Sequence, residues 1–198
     1  MQAKEDYNQF IKEVIFRYHQ VSETSLSLLY SIARIKHLKK NEILLPIGKT
    51  AKDIHILVQG AIIAYFIDEE GNTYNKNVFL EGNFVASTVS YLTNSPSDFA
   101  LEAIEDCIII SFNYRNYRQY INNNEDLKNF YIAYLEKNWV IDKEKREIDI
   151  VMKNASSRYL ELLEKHPEID QRVPLSHLAS HLGITPTQMS RIRKKVKK

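Results

Sequence analysis

The stretch LSHLASHLGITPTQMSRIRKKV, residues 175–196, leaves little freedom in how it can fold. Leu175, Leu178, Ala179 and Leu182 recur at helical spacing and form one apolar stripe. Gly183 follows, where a chain reversal needs a residue free to take positive φ. Ile184 plugs the corner. Thr185 suits an N-cap, Pro186 suits the first helical turn, and Gln188 completes a Thr-x-x-Gln capping box. Met189, Ile192 and Val196 supply the inner face of a second helix. Thr187, Gln188, Ser190, Arg191 and Lys194 then fall outward or on its N-terminal shoulder, and Arg193 and Lys195 add to its charge. A helix presented this way, polar at its tip and cationic along its length, suits the DNA major groove.

Charge points the same way. Residues 171–198 hold seven Lys or Arg and no Asp or Glu, so with a chain total of +2 the preceding 170 residues carry −5. The positive charge is gathered on the segment that has the helix-turn-helix pattern, as phosphate binding requires. Without the turn and the capping box, the same residues would read as an amphipathic hairpin with a solvated basic tail.

Several function classes are excluded by composition. No apolar run approaches the ~18 residues of a membrane span. The opening MQAKEDYNQFIKEV has no signal-peptide core, so a cytoplasmic location is expected. Cys107, the single cysteine, lies in the apolar run CIIISF and is expected in the core; alone it makes neither an intrachain disulfide nor a metal site. The six histidines are scattered, and the His177–His181 pair has no third ligand, so no metal or other cofactor is expected. No nucleophile–base pair or Gly-rich phosphate loop is visible, and the chain does not read as an enzyme.

Along the chain, residues 4–18 and 22–32 read as helices, the second capped by Ser22. Residues 33–113 alternate short Ile-, Val-, Phe- and Tyr-rich runs with turn signals, which predicts a small antiparallel barrel or roll, with its clearest hairpin region at HILVQGAIIAYFID and EEGNTY. After Asn122–Asn123–Asn124 a long helix begins, with Leu127, Tyr134, Ile141 and Ile148 at heptad spacing. One of its faces is expected on the barrel and the other on a second copy of the chain, although Lys137 and Glu144 break the seam. The helix ASSRYLELLEKH precedes the helix-turn-helix. The expected class is α+β, with helices and the roll at 1–123, a dimerisation helix at 124–147 and a DNA-binding domain at 148–198.

NEILLPIG, HILVQGAIIAYFIDEEGN, LEGNFVAS, ALEAIEDCIIISFNYRNYRQYI and LASHLGITPTQMSRIRKK occur in that order. With them the chain resembles the Crp/Fnr family of bacterial transcription regulators over almost its whole length. The resemblance implies an effector domain at 1–123 built on a cyclic-nucleotide-binding-like β-roll (a double-stranded β-helix), a homodimer and sequence-specific DNA binding. The partners it implies are double-stranded DNA, a second copy of the chain, RNA polymerase and a small-molecule effector.

The departures from the family pattern bear on that effector. Where cyclic-nucleotide sensors carry Gly-Glu-Leu, this chain has Ala86–Ser87–Thr88, and where they place the phosphate-neutralising Arg it has Ser97–Asp98–Phe99. Burying a phosphate beside a carboxylate without a cation is costly, so cyclic AMP and cyclic GMP are not expected ligands. A pocket for another ligand would be lined by Phe84, Ser87, Thr88, Ser97 and Phe99; otherwise it is vestigial. One cysteine rules out an iron–sulfur sensor, and His37 and His55 read as surface or satisfied core residues rather than haem ligands. The family continues into a β-hairpin wing after the recognition helix, whereas this sequence stops at Lys198, so Lys194, Lys195, Lys197 and Lys198 are expected to supply the phosphate contacts. Arg191 is the candidate for guanine, Gln188 for adenine or phosphate, and Thr187 for a thymine methyl or a backbone oxygen. The competing reading is a ligand-binding module that works through protein partners and grips DNA weakly.

Overall fold

The computed structural model describes residues 2–196. Two helices, α1 (Gln2–Phe16) and α2 (Glu23–Ile32), precede the strands, and the Ser22 hydroxyl caps α2 by accepting from the Ser25 N–H at 3.1 Å. The strands are β1 (Arg34–Leu38), β2 (Ile43–Leu45), β3 (Asp53–Gln59), β4 (Ile62–Ile67), β5 (Thr73–Phe79), β6 (Phe84–Val85), β7 (Ala100–Ala103) and β8 (Cys107–Asn113), with the short α3 (Thr88–Thr93) between β6 and β7. They pair antiparallel into two four-stranded sheets of order β1-β8-β3-β6 and β2-β7-β4-β5.

The inner strands, β8 and β3 in one sheet and β7 and β4 in the other, are largely covered on both faces, which is why runs such as CIIISF and AIIA show so little polar alternation. Leu38, Leu57, Ile109, Ile62, Ala64 and Leu101 meet between the sheets. On the outer face of the first sheet, Ile54, Ile56, Ile110 and Phe112 pack under α1 and α2 against Ile11, Val14, Ile15, Leu26 and Leu29. On the outer side of the second sheet, Ala61, Ile63 and Leu80 join the apolar core of the C-terminal helices.

The expected hairpin region divides in two. β3 and β4 belong to different sheets, and Gly60 carries the chain across the gap between them at φ +97°. A Cβ there would stand 2.5 Å from Cys107 Sγ and 2.7 Å from the Asp106 carbonyl, so only glycine fits. The true hairpin is β4–β5, whose turn is tied by the Asp68 carboxylate accepting from the N–H groups of Glu70 and Asn72 at 3.0 and 2.8 Å.

After β8 come α4 (Tyr114–Asn123) and a helical rod made of α5 (Glu125–Leu135), a π-helical stretch (Glu136–Ile141) and α6 (Asp142–Met152). The rod therefore runs past residue 147, the end expected for the dimerisation helix, to Met152. The C-terminal unit is α7 (Ala155–Lys165), α8 (Ile169–Arg172), α9 (Leu175–His181) and α10 (Pro186–Val196). Its start is set by Asn154, whose side chain accepts from the Ser157 N–H at 3.0 Å. No helix among the described residues is long and apolar enough to cross a membrane.

Candidate nucleic-acid interface and ligand cavity

α9 and α10 meet at Gly183, φ +68°, with Leu178, Ala179, Leu182 and Met189 buried between them and α7. The capping box closes as its residues dictate: the Gln188 N–H donates to Thr185 Oγ1 at 3.2 Å, and the Thr185 N–H donates to Gln188 Oε1 at 2.9 Å. Gln188 is thus engaged at the helix start while its residue stays exposed. Thr187, Arg191, Lys194 and Lys195 are exposed along the same helix, and Ser190 is half-buried. Arg193 stands apart from this set. Its Nε lies 3.1 Å from Asp170 Oδ2, the oxygen to which the Tyr159 hydroxyl donates at 2.6 Å, and that contact turns Arg193 into the unit's own framework. Lys197 and Lys198 lie outside the described residues.

The C-terminal helical unit is seated on the β-roll through α9 and α8. The Asn75 N–H on β5 donates to Ser180 Oγ at 2.7 Å, and the Asn75 side-chain amide donates to the His177 carbonyl at 3.0 Å. Arg172 reaches back with Nη2 2.6 Å from Glu81 Oε1 and 2.7 Å from Glu105 Oε2. These residues have no sequence signature: in the chain they are separated by 67 residues or more, and Arg172 reads simply as one of the basic charges. The structure pairs both Arg172 and Arg193 internally, so the exposed charge of α10 rests on Arg191, Lys194 and Lys195.

The four heptad residues of the long helix part company. Leu127 is fully buried beside Phe130 and is unavailable to a second chain. Tyr134 is half-buried and packs edge-on against Tyr18 and Phe84, with ring centroids 5.3 and 4.9 Å apart. Ile141 and Ile148 remain 57% and 53% exposed, together with Val140 and Val151. The wider π-helical turn between Leu135 and Asp142 re-phases the apolar stripe, which is why a single seven-residue repeat serves the roll first and solvent afterwards.

A cavity of about 420 Å³ lies between the roll and this rod. Of the five residues expected there, Phe84, Thr88 and Phe99 line it. Ser87 and Ser97 do not, because their buried hydroxyls are 2.8 Å apart and bonded to each other. The cations absent from residues 86–99 come from elsewhere: Lys76 of β5, with Nζ 4.1 Å from the centre of the Phe99 ring, and Lys143 and Arg146 of α6. Partial desolvation pushes the Lys76 ammonium below its ordinary pKa, opposed by Asp98 and aided by Arg146, and desolvation lowers the Arg146 guanidinium too. Arg146 also borders a second cleft, about 660 Å³, between the roll, the rod and α9.

His55, His177 and His181 do not converge on one metal site. His55 is buried with Nδ1 2.8 Å from Ser111 Oγ, and burial with Lys36 and Arg34 nearby pushes its pKa down to about 3. His177 bonds to Asn75, whereas burial and Arg146 push His181 down to about 4. No group of three or more His, Cys, Asp or Glu side chains able to hold a metal ion occurs among the described residues.

Residues 35–124 match the family model of the cyclic nucleotide-binding domain, and the roll has that fold. No curated protein matches the chain in sequence. In fold, the chain is similar to the c-di-GMP-responsive global regulator CLP of Xanthomonas campestris, with 13% identity over 89% of this chain and 92% of that one and a TM-score of 0.67. DNR from Pseudomonas aeruginosa is 20% identical over 96% of this chain and 86% of its own, with a TM-score of 0.59. The catabolite activator protein of Thermus thermophilus is 15% identical over 91% and 85%, with a TM-score of 0.56. At these identities the likeness is one of fold.

Proposed function

We propose that this chain is a homodimeric, sequence-specific DNA-binding transcription regulator of the Crp/Fnr type, with an effector cavity adapted to something other than a cyclic nucleotide. The observation that carries this reading is α10: a capped helix with Thr187, Arg191, Lys194 and Lys195 on its open side and its apolar residues turned to the unit's core. Two such helices, related by a two-fold axis along the rod, would enter successive major grooves of a near-palindrome. Ile141, Ile148, Val140 and Val151 are the surface that a second copy would cover. DNA, a second copy and RNA polymerase are the macromolecular partners this reading assigns.

The test is selection of genomic fragments by the purified chain at near-physiological salt. An enriched palindromic motif supports the reading. Binding without sequence preference, repeated in the presence of cell extract to supply any missing effector, would instead favour a module that acts through protein partners.

A further inference from the structure

The cavity between the roll and the rod has an uneven lining. Phe84, Phe99, Tyr134 and Trp139 supply its aromatic lining, while Lys76 and Arg146 bring two cations to it beside Lys143, which is paired with Glu147 at 3.5 Å. Among the described residues, neither cation has a carboxylate within ion-pair distance. Asp98 is near enough to be felt by Lys76 but forms no bridge with it, and the Arg146 guanidinium has only a long contact, 3.4 Å, with the Lys76 carbonyl. One carboxylate, Asp142, lines the cavity itself and is paired with Lys137 at 2.6 Å, and along the adjoining cleft Asp149 and Glu161 are used by Lys153 at 2.8 and 2.6 Å. Desolvating cations without a counter-charge is unfavourable unless an anion arrives to pair with them.

We propose that this cavity binds a small aromatic acid, its ring against Phe99 and Trp139 and its phosphate or carboxylate held between Arg146 and Lys76. The guanidinium fork suits two oxygens of such a group, and a cavity of about 420 Å³ has room for a single-ring ligand. The anion is held by side chains of β5 and α6 rather than by Ser87 and Ser97, which are already bonded to each other.

The site reaches the DNA-binding unit through Arg146, which borders both cavities. On the far side, in the cleft, stands His181 of α9, whose Nδ1 is buried without a hydrogen-bond partner. A ligand that draws Arg146 toward the roll changes what His181 and the end of α9 face. This consequence for DNA rests on the proposed function, whereas binding itself does not.

The chain has a single tryptophan, Trp139, on the cavity wall, so its emission reports occupancy without DNA present. The full chain is titrated with phenyl phosphate, benzoate and inorganic phosphate at ionic strength held constant with KCl. Saturable change is expected with at least one aromatic acid and at lower concentration than with inorganic phosphate; whether phenyl phosphate or benzoate binds more tightly names the phosphoryl or carboxyl class. Arg146→Gln is expected to weaken binding at least tenfold, Arg146→Lys to restore part of it, and Lys40→Gln, a surface cation outside the cavity, to leave it unchanged. No saturation with either aromatic acid overturns the proposal, as does equal affinity in Arg146→Gln or equal binding of inorganic phosphate. Because no DNA enters the assay, its failure leaves the DNA-binding reading to be judged separately.

Discussion

Arg172 and Glu81 form a two-pronged pair across the seam between the C-terminal helical unit and the roll: Nη2 lies 2.6 Å from Oε1 and Nη1 lies 3.0 Å from Oε2. Glu105 accepts from the same guanidinium, and the Gly60 N–H donates to Glu81 Oε1 at 2.9 Å. Arg172→Ala leaves two carboxylates facing each other and is expected to weaken docking by about 1–3 kcal/mol, the range of a charge-assisted pair reduced by solvent access. Hydrogen exchange at the β5 amides should rise in the variant while β3 and β8 stay protected; unchanged β5 protection would mean that the apolar contact alone seats the unit.

The same pair sets a pH dependence. Burial works to raise the Glu81 carboxyl, but hydrogen bonds from Arg172 and from backbone N–H groups outweigh it and hold the pKa below the ordinary value. A depressed carboxylate contributes stability that is present above its unfolded pKa, about 4.3, and is lost as pH falls through the folded value. Docking should therefore be insensitive to pH from 8 to 5 and loosen below about 4. Small-angle scattering across that range checks it, and loosening on the alkaline side would contradict the assignment.

On α10, Arg191 and the lysines should fail differently. Arg191→Ala is expected to cost about 1–3 kcal/mol at one operator position and to relax preference there. Lys194→Ala and Lys195→Ala should weaken all sequences alike and each lower the salt slope by about 1. Fluorescence anisotropy on matched and scrambled duplexes at several salt concentrations separates the two; a salt slope altered only by Arg191→Ala would reverse the assigned roles.

Ile141→Asp and Ile148→Asp place charge on a surface that is 57% and 53% exposed in the single chain. Neither should reduce the stability of the isolated fold by more than about 0.5 kcal/mol. If the proposed dimer forms through this surface, both should shift it to monomer in analytical ultracentrifugation, because a charge left unpaired at an apolar seam is costly. Leu127→Asp, by contrast, should unfold the chain, since Leu127 is fully buried against Phe130 and its neighbours. A dimer that survives both isoleucine changes would move the interface elsewhere.

Gly60→Ala should destabilise the roll by about 2–5 kcal/mol in urea unfolding, since it combines positive φ with a Cβ pressed on Cys107 and the Asp106 carbonyl. Burial pushes the Cys107 thiol up to about 11, so the native protein at pH 8 should react with a thiol reagent at least tenfold more slowly than the unfolded chain. Rapid labelling of the native protein would place Cys107 outside the core.

The elements whose signals are local were legible in the sequence. Thr185 and Gln188 cap α10, Gly183 turns the chain, Ser22 caps α2, and strand runs bounded by Gly48, Gly60, Gly71 and Gly82 build an antiparallel roll. Each depends on residues within a few positions of one another, and a short-range rule suffices. The long-range partners were not legible. A basic residue in a basic segment shows its charge but not its neighbour, so nothing in the sequence separates Arg193, held by Asp170, from Arg191, which stays exposed. The cations of the cavity between roll and rod were missed for the same reason, since Lys76 and Arg146 are 70 residues apart and meet only because β5 runs beside the rod.

The heptad Leu127, Tyr134, Ile141, Ile148 marks the boundary between the two kinds of information. Its spacing and apolar character were enough to determine a long helix with a face to bury. Which residues bury within the chain and which stay exposed was decided only when the roll folded under the first half of the rod and the π-helical turn rotated the second half away. Side-chain spacing along a helix is a local property, but what each side chain meets depends on chain segments brought together by burial of apolar surface, and only the tertiary structure contains that arrangement.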